Sequence, residues 1–169
     1  MKKLLSTIAL AVLPIMMMAQ ARIAVVNSQQ IFDQMPQKAA AEAQLKALSD
    51  QYQAEYQLLQ GEFDKKYADY QAVVADANTP AAIKERRMQE VQEGDKKIQE
   101  FERRAADDIA RQRADLTKPI TDKIQDAIRT VGDQGGYDLI IDTAVTRVAY
   151  TGGRTIDVTP QVKSILGLE

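Results

Sequence analysis

Two mirrored apolar stripes meet at Asn78-Thr79-Pro80, and they decide most of what this chain can fold into. Before the turn, Leu45, Leu48, Tyr52, Tyr56, Leu59, Phe63, Tyr67, Tyr70 and Val74 follow one another in steps of 3, 4 and 4. After it, Ile98, Phe101, Ala105, Ile109, Leu116 and Ile120 keep the same beat, with Gln112 out of type. A 3-4-4 beat is an eleven-residue repeat near 3.67 residues per turn, so the seam stays on one face of a nearly straight helix. Thr79 is the expected N-cap of the return helix and Pro80 its first residue. The spacing therefore predicts an antiparallel helical hairpin, a coiled-coil arm over residues 37–131 with its tip near 78–80. At 1.5 Å per residue its helices run to about 60 Å and 80 Å.

What flanks the arm is different in kind. Arg22 to Asn27 is a short β-branched run that reads as a strand, and Asn27-Ser28 can cap a brief helix carrying Ile31, Phe32 and Met35 before Pro36. Tyr137 to Asp142 reads as a second strand and Val145 to Thr151 as a third. Gly152-Gly153 then turns the chain, and Ile156-Asp157-Val158 leads to a final helix in which Thr159 caps and Pro160 starts. The fold class is α+β: a small strand-containing body from residues 22–36 and 132–169, plus the arm. Three short strands make too small a core to stand alone, and their open edges invite pairing with copies of the same chain. Ile23, Val25, Leu139, Ile141, Val148 and Tyr150 are the candidates for a core shared between copies.

Residues 1–21 have the grammar of an export signal. Lys2-Lys3 supply the positive start, Leu4 to Met18 the apolar stretch and Ala19-Gln20-Ala21 an A-x-A cleavage site. The apolar run is shorter than a membrane span and is broken by Pro14, so removal is expected rather than anchoring. Export without any cysteine points to a bacterial periplasm and a fold that needs no disulfide. Loss of Lys2 and Lys3 would shift the formal net charge from −2 to about −4, which argues against nucleic acid as a partner.

The side-chain inventory narrows the chemistry. With no His and no Cys, Ser-His-Asp and Cys-His nucleophiles and His/Cys metal sites are excluded, and no phosphate-cradling glycine loop or G-x-S-x-G elbow is present. The carboxylates lie on long helical faces where pairing with Lys and Arg at i,i+4 accounts for them. Neither an enzyme nor a cofactor is expected. Tyr52, Tyr56 and Tyr67 are candidates for contact with a client chain, since tyrosine offers large contact area at low entropic cost. Packing inside the hairpin seam is the competing reading. Tyr56 and Tyr67 fall on one track of the stripe, expected nearer its edge, and Tyr70 on another, expected nearer its centre. Gly61 and Gly94 lie at nearly equal heights about the tip and mark either a hinge level or a close approach of the helices. Pro119 is expected to kink the return helix. Arg86-Arg87, Arg103-Arg104, Arg111 and Arg113 form either a solvated face or a surface for transient contact with an anionic membrane.

The two ends of the chain carry a resemblance. Arg22-Ile23-Ala24-Val25-Val26-Asn27-Ser28-Gln29-Gln30-Ile31-Phe32 resembles the opening of the Skp/OmpH-like periplasmic chaperones. Tyr137 to Asp142, Val148-Ala149-Tyr150 and Asp157 to Val162 are similar to that family's closing block of strand, strand and capped helix. The resemblance implies a homotrimer with a central β-barrel body and three helical arms around a cavity. It also implies ATP-independent holding of unfolded outer-membrane proteins. One departure limits it: the best-known members are strongly basic, whereas this chain is mildly acidic, so no lipopolysaccharide site is assigned. The rival reading is a coiled-coil adaptor or spacer of the cell envelope that holds no unfolded chain.

Overall fold

A computed structural model describes residues 21–168. The export segment read over residues 1–21 lies outside the described residues except for Ala21. The element order is β1 (Ile23–Val26), α1 (Ser28–Gln34), α2 (Pro36–Ala75), α3 (Ala81–Gly135), β2 (Leu139–Asp142), β3 (Ile156–Asp157) and α4 (Thr159–Ile165). By contact density the chain divides into two compact units. Of the described residues, one unit comprises those up to Ile31 together with those from Ile124 onward, and the other spans Phe32–Lys123.

The second unit is the hairpin. Its 40-residue α2 corresponds to about 60 Å of helix, and α3, 55 residues in all, to about 80 Å. Their connection is closed by a residue the stripe analysis passed over. The Asp76 carboxylate accepts the Asn78 amide proton at 2.9 Å and the Thr79 hydroxyl proton at 3.0 Å. Thr79 therefore serves as a donor to Asp76 rather than as the expected N-cap. The two hydrogen bonds, together with the Lys84 charge, hold the Asp76 carboxyl below the usual aspartate range. Pro119 sits inside α3, where it withholds one backbone donor. On either side of it, the Thr117 and Thr121 hydroxyls donate to the carbonyls of Arg113 and Lys118, each at 2.8 Å.

The first unit holds the three-stranded sheet, in the order β2-β1-β3 with β1 central. Both pairings are parallel, Ile23 with Leu139 through Val26 with Asp142 on one side and Ala24 with Ile156 and Val25 with Asp157 on the other. A parallel pair requires a long crossover, and the entire hairpin is inserted in it. The buried residues of this unit are Ala24, Val26, Ile31, Val158 and Val162, with Ile124, Ala127, Ile128 and Val131 recurring on one face of α3. The expected third strand at Val145–Thr151 is not one: the segment is turn and loop, and the third strand is Ile156–Asp157. Both edges of β1 are taken, by β2 and β3, so the place beside the central strand goes to Ile156–Asp157. The C-terminal end of α3 also differs from expectation. Gly132 continues the helix, its α-carbon face directed at Ile140, and Gly136 at φ +60° terminates it four residues later.

Polar side chains stitch the carboxyl ends of the strands. Asn27 caps α1 by accepting the Gln30 amide proton at 2.9 Å. The Asp142 carboxylate accepts the Ser28 amide at 3.1 Å and also the Ser28 hydroxyl. The Asn27 amide donates to the Thr159 hydroxyl oxygen at 3.0 Å, and Asp157 accepts the Thr159 amide at 2.9 Å. Thr159 is thus buried as a tie to Asn27 and is the first residue of α4 rather than its expected cap, the N-cap position being Val158.

Candidate functional site

Three groups of residues were singled out as functional, and each unit holds its own. In the hairpin, Leu59, Ile98, Phe101 and Ala105 form a dry cluster with Tyr52, Tyr56 and Phe63 packed against it. The Tyr52 ring meets Phe101 edge-on, centroids 5.8 Å apart at 69°. Its hydroxyl donates to the Asp108 carboxylate at 2.6 Å, which pushes the phenol above its ordinary range. Tyr52 and Tyr56 are therefore engaged in the seam.

Tyr67 is not. It stacks on Phe63, rings 6.1 Å apart at 10°, and keeps 44% of its surface exposed. Tyr70 is half-buried, as is Tyr56, while Leu59 on the track of Tyr70 is buried and Tyr67 on the track of Tyr56 is exposed, so the second track lies nearer the seam's centre. Beyond Phe63 toward the tip, α3 presents Arg87 and Glu90 on its half-buried positions, paired with each other at 2.7 Å. An ion pair cannot cover tyrosine and valine as an apolar mate would. In this stretch Tyr67 and Val74 of α2 and Ile83 and Met88 of α3 are exposed, while Tyr70, Val73 and Val91 are half-buried. The signal for this was in the sequence: the apolar beat of the return helix begins only at Ile98.

The glycines differ from one another. A Cβ on Gly94 would lie 3.2 Å from the Phe63 ring, so the bare backbone there serves a close approach of the two helices. Gly61 faces open space, with nothing within 4 Å of where a Cβ would stand. Arg86 and Arg87 are both tied to Glu90, at 3.2 and 2.7 Å.

In the sheet unit, register brings four of the six proposed core residues together. Paired residues of a parallel ladder point to the same face, so Ile23, Leu139, Val25 and Ile141 share one side of the sheet, opposite the buried Ala24 and Val26. That face is covered only in part within one chain: Ile23 is 40% and Leu139 50% exposed, with Val25 and Ile141 half-buried. Val148 and Tyr150 stand apart from it on the Val145–Thr151 segment, Tyr150 85% exposed. Among the described residues no cluster of acidic side chains could hold a metal ion, and no helix is long and apolar enough to cross a membrane.

A sheet built from both chain ends has the helical hairpin inserted between its strands. The chain belongs to the OmpH-like outer membrane protein family, whose sequence model matches residues 22–166. It is similar to chaperone protein Skp of Pectobacterium atrosepticum, 33% identical over 147 residues that cover 84% of this chain and 86% of that one. Chaperone protein Skp of Yersinia enterocolitica is 32% identical over 149 residues, 85% of this chain and 87% of the relative. The crystal structure of an OmpH-like protein from Caulobacter crescentus CB15 superposes with a TM-score of 0.64 at 15% identity, covering 88% of this chain and 85% of the other. At that identity the superposition speaks for the fold alone.

Proposed function

We propose that this chain is an ATP-independent holdase of the periplasm that binds unfolded outer-membrane proteins and keeps them from aggregating, working as a homotrimer. The observation that carries the reading is a hairpin whose outer stretch leaves Tyr67, Val74, Ile83 and Met88 uncovered, in a chain whose relatives are named chaperones. A few exposed apolar side chains spread among charges give many weak, reversible contacts. Such contacts suit a partner that must be held without being sequestered permanently. The partly exposed sheet face of Ile23, Val25, Leu139 and Ile141 supports assembly, since burying each of these side chains contributes roughly 1.5–3 kcal/mol. Export by the leader over residues 1–21 is part of the same proposal. The alternative, an envelope spacer, needs the hairpin's length but has no use for its exposed apolar stretch.

Dilution of a urea-unfolded β-barrel membrane protein into buffer, followed by light scattering, tests the reading. The mature chain is expected to suppress scattering without nucleotide. Tyr67→Ala is expected to weaken that suppression with little change in helicity, whereas Tyr52→Ala, which removes the Phe101 and Asp108 contacts, lowers the melting temperature instead. Scattering unaffected by the unmutated chain would favour the spacer.

A further inference from the structure

Arg22 is held at three points, all supplied by Tyr137 and Asp138, the two residues before β2. Its backbone nitrogen donates to the Asp138 carboxylate at 2.7 Å, and its carbonyl accepts the Asp138 amide proton at 2.9 Å. Its guanidinium stands 5.0 Å from the centre of the Tyr137 ring. The ladder of β1 and β2 begins one residue later, where Ile23 pairs with Leu139. Arg22 and Asp138 thus close the end of that ladder, the amide of one answered by a carboxylate rather than by a carbonyl.

Arg22 is also the residue that follows the Ala19-Gln20-Ala21 signature. Cleavage after the last small residue of such a signature opens the Ala21–Arg22 peptide bond. The oxygen of the attacking water joins the Ala21 carbonyl carbon, which leaves as the leader's carboxylate. Both water protons end on the Arg22 nitrogen, which becomes an ammonium. An α-amine titrates at about 8, so at neutral pH most of it is charged. That nitrogen is the atom already 2.7 Å from the Asp138 carboxylate. Before the cut the contact has one charged partner, and after it both partners are charged.

We propose that removal of the leader after Ala21 leaves an α-ammonium on Arg22 that pairs with the Asp138 carboxylate and pins the first end of β1 to β2. The inference rests on the export reading above and adds the group that receives the new terminus. The pair sits at the outermost rung of the ladder, where a terminal strand frays first. Its position is exacting. A chain that starts one residue earlier carries its charge on Ala21, about 3.3 Å further along the strand, and offers Asp138 only a neutral amide. A chain that starts one residue later lacks both the Arg22 nitrogen and the guanidinium on Tyr137. Asp138 therefore acts as a receptor for one particular start of the mature chain.

Mass spectrometry of the chain expressed with its leader in a bacterium reads the first half of the proposal, and a mature chain starting at Arg22 is expected. A processed chain with any other first residue overturns the proposal and leaves export intact, whereas an unprocessed chain overturns the export reading as well. The second half is read on full mature chains released from a cleavable fusion to start at Arg22 or at Ala21. At neutral pH and low salt the Arg22 start should melt roughly 2–4 °C higher, and concentrated salt should narrow the gap. Acetylation of the Arg22 amine, which removes the charge without altering a residue, should abolish the advantage. With Asp138→Asn, which keeps an acceptor but not the charge, the two starts should melt together. Equal melting of the two unmutated chains, or a gap that survives acetylation or Asp138→Asn, overturns the ion pair.

Discussion

Gly94 and Gly61 show how one residue type can mean opposite things at nearly one height of a hairpin. Alanine favours a helix over glycine by about 1 kcal/mol. At Gly61 that preference is available in full because the Cβ enters open space, so Gly61→Ala should raise the melting temperature. At Gly94 the new methyl would press on Phe63, and the displacement offsets the gain. Thermal unfolding of the two single variants checks this, and equal shifts would refute it. Asp76 gives a pH dependence at the same scale. Its folded-state carboxyl titrates below the unfolded one, chiefly because the Asn78 amide donates to it. Its contribution to the turn is therefore complete above the ordinary aspartate range and is lost as pH falls through the lowered folded value. The Asn78 amide resonance should titrate with that depressed midpoint, and Asp76→Ala should abolish the transition.

At the scale of elements, long periodicity was legible and pairing was not. The 3-4-4 beat located α2, α3 and their turn because a helical seam is written within a few residues of each position it uses. The exposed outer stretch was missed, because Tyr67 and Val74 keep the beat of α2 while α3 carries Glu90 and Arg87 on its own beat before Ile98. Strand pairing has no comparable local record. Val145–Thr151 has the composition of a strand but pairs with none, whereas Ile156-Asp157, only two residues, is a strand because it pairs with β1. Asp76 was missed because a carboxylate closing a turn looks like any other surface acid until the Asn78 amide is placed against it. Pro119 supplies an element-scale prediction. Restoring the N–H with Pro119→Ala, between two threonines already bonded to their own helix, should stabilise α3 by about 1–3 kcal/mol. An unchanged melting temperature would mean that the helix has absorbed the ring without strain.

For the whole molecule, the decisive property is that the sheet has one satisfied face and one that is not. Four of the residues proposed as apolar positions of the expected strands, Ile23, Val25, Leu139 and Ile141, share the unsatisfied face because the β1–β2 register aligns them. Ile141→Asp places a carboxylate there. In a separate chain that side chain is only half-buried, so the fold should survive, but in an assembly it would be enclosed without a partner. Sedimentation of Ile141→Asp is expected to show monomers with undiminished helical circular dichroism. A variant that still assembles would remove this face from the interface.

The central position of β1 also has a consequence in time. Ile23 is made early, and its ladder partner Leu139 is 116 positions later in the chain. As the polypeptide emerges, both helices of the hairpin can be complete while the strand that centres the sheet still has nothing to pair with. Contacts between distant positions form slowly when a long coil must be closed, but a zipped hairpin replaces most of that coil with a rigid insert. The last residues to appear, β2, β3 and α4, then convert an unpaired strand into a sheet with an adhesive face. Under the assembly reading proposed above, a chain cannot associate through this face until β2 is present, and a copy truncated before Leu139 lacks half of the face's apolar residues.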